Sequence, residues 1–248
     1  MTASGGAEVG HRLVPGAGLP PWMRPMVDRA DGGRLPRWVR HAAEPAPEGA
    51  RRSAVLMLLA DGEAGPDLLL TGRAATLRAH AGQPAFPGGA LEPGEDAVAA
   101  ALREGQEETG LDPGSVTPAA VLPSLYLRPS GYVVSPVLAH WHHPGPVRPV
   151  DPAETEVVAR VPLADLADPA NRCSVVLREG LRSPAFTVAG LVVWGFTAGL
   201  VDLLLEWGGW AVPWDRGITV TAPSAPSWAT QPAAPGDVRP ASGAAVAP

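Results

Sequence analysis

The sequence contains no lysine and one cysteine, and aromatic residues make up only 5% of it. All 19 basic residues are therefore arginines, and with 25 acidic residues they give a net charge of −6 over 248 residues. A surplus of negative charge argues against bulk electrostatic binding to nucleic acid or to an anionic membrane surface. The single cysteine, Cys173, excludes an internal disulfide framework and a cysteine-based zinc site, and it suits a reducing compartment.

The sequence also lacks the features of an export signal. Its first residues, MTASGGAEVGHRLVPG, have neither the basic start nor the apolar core of a signal peptide. The charge-free segment 183–201 is long enough to span a bilayer, but serine, proline, threonine and glycine residues interrupt it. It is better explained as a strand that runs into a buried helix, so we expect a cytoplasmic protein without a membrane span.

Glycine and proline are abundant, with 29 and 30 residues, and they are unevenly distributed. Residues 1–50 are proline-rich with scattered charges and predict an irregular N-terminal arm, with one short helix near 22–31. Residues 217–248 are rich in proline, alanine and serine, a composition that predicts a disordered tail. Residues 51–216 are long enough to form one domain with its own core.

Within this domain, short apolar runs and turn residues predict several strands and two helices. The runs 53–60 and 67–71, separated by DGEAGP, predict two neighbouring strands. A helix is predicted to begin after Asp96 and to end at Thr109, where Gly110 follows. Mixed short strands with few helices predict an α/β fold, a sheet covered by helices on its faces. Further strands are predicted at 117–122, 132–139, 155–161 and 174–177, and a last helix at 195–206.

The predicted helix carries three carboxylates on one face. At 100° per residue, Glu104, Glu107 and Glu108 fall within an arc of about 100°. Like charges at this spacing oppose helix formation, so the arrangement costs stability unless a positive group lies beside it. Taken alone, such a segment is usually a solvated acidic face. The residues around it favour a functional role instead.

Gly89, Glu95 and Arg103 precede these carboxylates at fixed intervals, and Gly110 follows them. This spacing resembles the Nudix box. The resemblance implies an α/β/α sandwich with a mixed β-sheet and a catalytic loop-helix-loop. It also implies binding of Mg²⁺ or Mn²⁺ and hydrolysis of a nucleoside diphosphate linked to another group. The residues that carry the resemblance are Gly89, Glu95, Arg103, Glu104, Glu107, Glu108 and Gly110.

The resemblance assigns roles to residues of the helix. It implies that Glu104, Glu107 and Glu108 bind the metal and that one of the three acts as the base, and which one stays open. Divalent ions of this kind prefer oxygen ligands, and a helix face presents several carboxylates at once. Arg103 is interpreted as a brace for the carboxylates rather than a substrate contact.

Glycines in the box and in the loop before it lead to two further predictions. Gly88 and Gly89 let the backbone approach metal or phosphate closely, because glycine has no Cβ. Gly105 departs from the pattern, which usually has an apolar residue there to anchor the helix to the sheet. A glycine inside a helix costs roughly 0.5–1 kcal/mol relative to alanine. We therefore expect this departure to affect the stability of the helix much more than catalysis.

The stretch 69–89, LLTGRAATLRAHAGQPAFPGG, looks like the additional signature of the coenzyme A pyrophosphatase branch of the Nudix family. It implies hydrolysis of coenzyme A or an acyl-CoA, a small-molecule substrate that carries several phosphates. Arg73 and Arg78 are the candidates to bind these phosphates, because guanidinium binds phosphate oxygens in pairs and stays charged. The alternatives are a Nudix enzyme for ADP-ribose, NADH or another nucleotide, and a Nudix domain that binds a ligand without turnover.

Two further features follow the box. Many Nudix enzymes are thought to take an extra carboxylate from a later loop, and Glu154 is the candidate here. Trp207, Trp210 and Trp214 lie beyond the last predicted helix. They either cover the end of that helix or form the surface of a homodimer, since aromatic residues are favoured in both places.

Overall fold

The computed structural model describes residues 10–32, 46–76, 82–128, 130–176 and 182–221. The helices are α1 (Arg24–Ala30), α2 (Ala97–Thr109), α3 (Leu163–Ala167) and α4 (Gly195–Gly208), with short 3₁₀ turns at Gly16–Gly18, Pro113–Ser115 and Pro169–Asn171. The strands are β1 (His11–Arg12), β2 (Arg51–Gly62), β3 (Gly65–Arg73), β4 (Pro84–Ala85), β5 (Gly88–Ala90), β6 (Val116–Val121), β7 (Leu125–Leu127), β8 (Tyr132–Trp141), β9 (Thr155–Pro162), β10 (Arg172–Val176), β11 (Arg182–Val188), β12 (Leu191–Val193) and β13 (Thr219–Val220).

The larger of two sheets has the order β1-β6-β8-β2-β3-β4, with β5 beside β2, β7 beside β8 and β9 beside β3. β2 and β8 run parallel from the pair Arg51 and Tyr132 to the pair Ala60 and Trp141. Strand β2 pairs antiparallel with β3 and β5, so the sheet is mixed. The smaller sheet has the order β12-β11-β10-β13. The predicted α/β architecture with a mixed sheet is confirmed.

Strand β2 divides the core into two layers, because successive side chains of a strand point to opposite faces. Leu56 and Leu58 are buried with Ala100 and Ala101 of α2 on one face. Met57 lies in the other layer, together with apolar residues of α1, α3 and α4. Helices therefore cover both faces of the sheet, and among the described residues α2 is the helix that packs on one of them.

The strands and helices predicted from the apolar runs are confirmed. The runs 53–60 and 67–71 form β2 and β3, which pair through Leu59 and Leu68. The segment 183–201 forms β11, β12 and the first half of α4, as expected. Among the residues that the structure describes, no helix is long and apolar enough to cross a membrane.

Residues 10–32 lie against the same core as the rest of the fold, although their composition predicted an irregular arm. Met23, Met26, Val27 and Ala30 are fully buried beside α4 residues. Their spacing of three and four residues gives α1 one apolar stripe, and α1 lies where a short helix was predicted, near 22–31. At the other end, β13 lies beyond the predicted limit at residue 216 and pairs with β10. The limits at 51 and 216 stay predictions, and residues 33–45 and 222–248 lie outside the described residues.

The three tryptophans after α4 have different surroundings. Trp207 is buried in the core, and Trp210 packs against it. A Cβ on Gly208 would overlap the Trp210 ring, so the indole lies directly on the end of the helix. These two residues cover the helix end, whereas Trp214 stacks on Arg172 and Arg216. The homodimer stays a prediction.

A buried ion pair joins the smaller sheet to α4. The Arg172 side chain is only 1% exposed and is paired with Asp202. Its guanidinium carbon also lies 4.7 Å from the centre of the Phe186 ring and 4.6 Å from that of Trp214. Removing one partner of such a pair leaves an uncompensated charge in the interior.

We expect Asp202→Asn to lower the free energy of unfolding by about 3 kcal/mol, because Arg172 stays buried and loses its counter-charge. Urea unfolding measures the effect. The control is Asp28→Asn, which removes an exposed partner of Arg12 at 3.4 Å and should change the free energy by less than about 1 kcal/mol. Equal effects of the two variants would contradict the buried ion pair.

Candidate active site

The carboxylate-bearing helix α2 begins and ends as its sequence predicts. The Asp96 side chain accepts a hydrogen bond from the Ala99 N–H at 2.8 Å, which satisfies a free donor of the first turn. Gly110 ends the helix in the left-handed region, with φ of 71°, where glycine is favoured. Both ends of α2 are therefore fixed by local sequence.

Gly105 lets α2 approach the sheet closely. A Cβ at this position would lie 2.8 Å from Leu56 Cδ2 and 3.2 Å from Leu111 Cδ2. The anchor that the family pattern places on the helix is thus supplied from the sheet, because Leu56 of β2 fills the space. This contact sets how closely α2, with its carboxylates, packs on β2.

Arg103 holds the carboxylates of the site together. Its Nε and Nη2 donate to the two oxygens of Glu95 at 3.0 and 3.1 Å. Its Nη1 donates to Glu104 at 2.9 Å and to Glu107 at 3.0 Å, and its Nη2 also reaches the Ala90 carbonyl at 3.0 Å. The hydrogen bonds that Arg103 donates to Glu95 are the main cause that raises the pKa of Arg103, and the same contacts lower the pKa of Glu95. This geometry agrees with a bracing role.

Glu95 also belongs to this network, although it was not among the predicted site residues. It belongs to the spaced pattern, eight residues before Arg103, and that spacing was the available signal. Because Glu95 lies before the helix and Arg103 within it, their contact fixes the loop on the helix.

Glu104 lies in a cradle that only glycine leaves free. Its side chain is 17% exposed, and a Cβ on Gly89 would overlap its carboxylate. Burial is the main cause that raises the pKa of Glu104, with the charges of Glu107 and Glu154 adding to it, whereas Arg103 acts in the opposite direction. Gly88 has a separate reason to be glycine, since a Cβ there would overlap the backbone of β2.

Glu108 is the most buried carboxylate of the cluster, at 9% exposure. Its Oε1 lies 3.9 Å from Arg73 Nη1, and the Gly88 backbone also hydrogen-bonds it. Burial, followed by the charges of Glu104 and Glu154, raises the pKa of Glu108 to about 7 against the opposing effect of Arg73 and Gly88. Burial of Glu108 thus opposes its charged form more strongly than Arg73 and Gly88 favour it.

Glu107 and Glu154 lie at the rim. The Glu107 side chain is 57% exposed and is turned to Arg103. Glu154 lies in the loop that returns past the end of α2, close enough for its charge to act on Glu104 and Glu108. This loop is fixed to the helix by hydrogen bonds from Val150 N–H to the Glu108 carbonyl at 3.2 Å and from Arg148 N–H to the Thr109 carbonyl at 2.9 Å.

The structure thus brings most of the predicted site residues to one place, at the end of the sheet where β2 begins. Arg78 lies outside the described residues, so its position relative to the cluster stays a prediction. The residues that converge are Arg73, Gly88, Gly89, Arg103, Glu104, Glu107, Glu108 and, at the rim, Glu154.

Comparison with known proteins identifies the family to which this fold and this acidic helix belong. The NUDIX domain family profile matches residues 50–178. Over 150 residues, 58% of this chain and 76% of the relative, the sequence is 39% identical to an uncharacterized Nudix hydrolase, NudL, of Cronobacter sakazakii. It is 37% identical over 148 residues to NudL of Escherichia coli, with the same shares covered. The chain belongs to the Nudix family.

A solved structure of similar sequence is the Nudix hydrolase RenU from M. smegmatis. It is 25% identical to this chain, over 48% of this chain and 74% of that one, with a TM-score of 0.40. Membership of the family makes this protein an enzyme that hydrolyses nucleoside diphosphate derivatives. Nudix hydrolases generally use a divalent ion such as Mg²⁺ or Mn²⁺.

The residues of the site fit such an ion by the chemistry of their donors. Glu104 and Glu108 are half-buried or buried carboxylates with raised pKa values, and a neighbouring cation would relieve their repulsion. Within the described part of the chain, no three histidine, cysteine or acidic side chains already converge in the manner of a metal site. Arg103 takes up oxygens of Glu104 and Glu107 instead, so these side chains would have to turn towards an ion.

We expect Gly89→Ala to lower kcat/KM about 100-fold without a change in Tm, because the added Cβ displaces the Glu104 carboxylate. The assay uses the nucleoside diphosphate substrate that the wild-type enzyme turns over fastest. Gly145→Ala is the matched control, since a Cβ there meets no atom within 4 Å. Wild-type activity of Gly89→Ala would show that the position of Glu104 does not matter for turnover.

Proposed function

We propose that the enzyme hydrolyses the pyrophosphate of coenzyme A or of an acyl-CoA. One phosphoanhydride bond is cleaved and one water molecule is consumed, which yields adenosine 3′,5′-bisphosphate and 4′-phosphopantetheine or its acyl form. The proposal narrows the class of nucleoside diphosphate derivatives to one that carries an additional phosphate on the ribose.

The observation that carries the proposal is the convergence of both ends of the LLTGR…FPGG stretch on one carboxylate. Arg73 closes the first part of that stretch and lies 3.9 Å from Glu108, and Gly88 of the second part hydrogen-bonds the same side chain. A stretch that resembles a substrate signature is thereby built into the acidic cluster rather than onto a distant surface.

Arg73 is held so that its guanidinium has donors to spare. Its backbone N–H donates to the Gln83 carbonyl, and its carbonyl accepts from Gly82 N–H, each at 3.1 Å. Its Nε is buried without a hydrogen-bond partner among the described residues. A positive group with a free donor beside a diphosphate site supports binding of a phosphate oxygen there.

The other residues divide the work as follows. Glu104, Glu107 and Glu108 would hold the divalent ion, and one of the three would accept the proton of the attacking water. Arg103 positions these carboxylates, and Glu154 is an auxiliary base or ligand. A bound Mg²⁺ or Mn²⁺ supplies neutralisation of the diphosphate charge and a lower pKa for a coordinated water. Arg73 orients the diphosphate against the cluster, and Gly88 and Gly89 leave the room for it.

The test is a steady-state assay with Mg²⁺ or Mn²⁺ that offers CoA, acetyl-CoA, ADP-ribose and NADH in parallel, with products identified by mass. We expect adenosine 3′,5′-bisphosphate from CoA or acetyl-CoA, and a loss of about 100-fold or more in Glu108→Gln. Glu63→Gln, in the turn between β2 and β3, is the control and should keep wild-type activity.

Two other outcomes would count against the proposal. Turnover of ADP-ribose or NADH alone would leave the Nudix chemistry in place and overturn the coenzyme A substrate. No turnover of any compound would favour a Nudix domain that binds a ligand without hydrolysing it, although the intact carboxylates of the box argue against that alternative.

A further inference from the structure

The end of β2 that lies away from the acidic cluster carries a carboxylate in contact with the N-terminal segment, residues 10–32. Successive side chains of β2 alternate, so Asp61 lies on the same face as Met57 and Leu59, which pack in the layer of α1 and α4. Asp61 is seven residues from Ala54, the partner of Gly89, or about 23 Å along the strand. This carboxylate is therefore separate from the active site.

Asp61 lies between the N-terminal segment and strand β8. Its Oδ1 accepts a hydrogen bond from Trp22 Nε1 at 2.8 Å, and Trp22 lies two residues before α1 begins. Its Oδ2 lies 3.8 Å from Nε2 of His140, which is too long for a hydrogen bond. One carboxylate thus faces an indole of the N-terminal segment and an imidazole of the sheet.

The imidazole of His140 is covered by the N-terminal segment. Its side chain is only 11% exposed, and the Trp22 ring meets it edge to face, with the ring centres 6.0 Å apart. Trp22 in turn lies 6.2 Å from the ring of Trp210 at the end of α4. The His140 Nε2 is buried without a hydrogen-bond partner among the described residues. Protonation would therefore place a charge in a site that is shielded from water.

The surroundings of His140 oppose its charged form. Burial is the main cause that lowers the pKa of His140, and the charge of His142 acts in the same direction, whereas Asp61 opposes both. Its neighbours in register and in ring contact carry no charge: Leu59 of β2, Thr117 of β6 and Trp22. The folded protein thus takes up a proton at His140 less readily than the unfolded chain. The contribution of His140 to folding is complete above the ordinary histidine pKa of about 6.5 and is lost as the pH falls below it.

A protonated His140 needs a partner for its Nε2–H. The Asp61 carboxylate is the near candidate, but its other oxygen is held by Trp22, the residue that covers the ring. Water is the alternative partner, and it reaches Nε2 when Trp22 moves away. Movement of Trp22 would also break its contact with Trp210 and so loosen α1 from the end of α4.

We propose that Asp61, His140 and Trp22 form a pH-sensitive latch that holds the N-terminal segment against the sheet at neutral pH and releases it in acid. The latch is independent of the substrate, because it lies at the other end of β2 from the carboxylates of α2. Asp61 acts in it as the acceptor that fixes Trp22 and as the counter-charge that His140 gains on protonation.

The test is hydrogen–deuterium exchange of the full-length protein at pH 7.5 and pH 5.0, with protection corrected for the intrinsic exchange rate. In wild type we expect protection of α1 to fall about fivefold or more on acidification, relative to that of β2. His140→Phe, which takes up no proton, should protect α1 equally at both pH values. Asp61→Asn keeps an acceptor for Trp22 but removes the counter-charge, so it should lose more protection in acid than wild type. His143→Phe replaces an exposed histidine and is the control.

An NMR titration of the histidine side chains identifies the group that responds. We expect a midpoint for His140 below about 6.5, and a lower one in Asp61→Asn. A midpoint at or above the ordinary value would overturn the inference, and so would an acid-induced loss of protection in His140→Phe equal to that of wild type. A loss that is uniform over α1 and β2 would contradict it as well, because the whole fold rather than the latch would then respond to pH.

Discussion

Mutual repulsion of carboxylates is the constraint on which the rest of this structure depends. Glu104, Glu107 and Glu108 share one face of α2, and the charge of Glu154 acts on the same region. Arg103 is the cation within the helix that offsets this repulsion, through hydrogen bonds of about 3 Å to three carboxylates. The pKa values of Glu104 and Glu108 are raised mainly by burial, and the charges of neighbouring carboxylates add to this effect. A divalent ion beside these carboxylates would stabilise their charged forms, and carboxylate oxygens are the ligands that such an ion prefers.

Because the sequence has no lysine, arginines supply the positive charge at this end of the sheet. These arginines differ in how fully neighbouring carboxylates neutralise them. Arg103 is saturated by carboxylates and acts as a structural brace. Arg73 has one carboxylate at 3.9 Å, and its buried Nε has no hydrogen-bond partner among the described residues, so its charge is only partly neutralised. Arg51 has an aromatic ring and a carbonyl but no described counter-charge. Planar guanidinium suits all three surroundings, because it stacks on rings and pairs with carboxylates or phosphates.

Local sequence was sufficient to predict α2, the hairpin of β2 and β3, and the layered α/β fold, because capping residues and apolar runs act over a few positions. It also predicted a short helix near 22–31, but not that the buried residues of α1 would pack in the same core as α4. The Gly105 position needed the structure as well, since the compensating Leu56 lies on another element. The pairing of Arg51 with Tyr132 joins residues that are distant in sequence, and only the parallel register of β2 and β8 brings them together.

The central claim is that the carboxylates of α2 form a cation site at the start of β2. Calorimetric titration of the full-length protein with Mn²⁺, without substrate, tests it most directly, with Glu104→Gln as the variant and Glu63→Gln as the control. We expect saturable binding in wild type and in Glu63→Gln, and binding at least about tenfold weaker in Glu104→Gln, because a buried oxygen ligand loses its charge. Equal Mn²⁺ affinity in all three proteins would contradict the assignment.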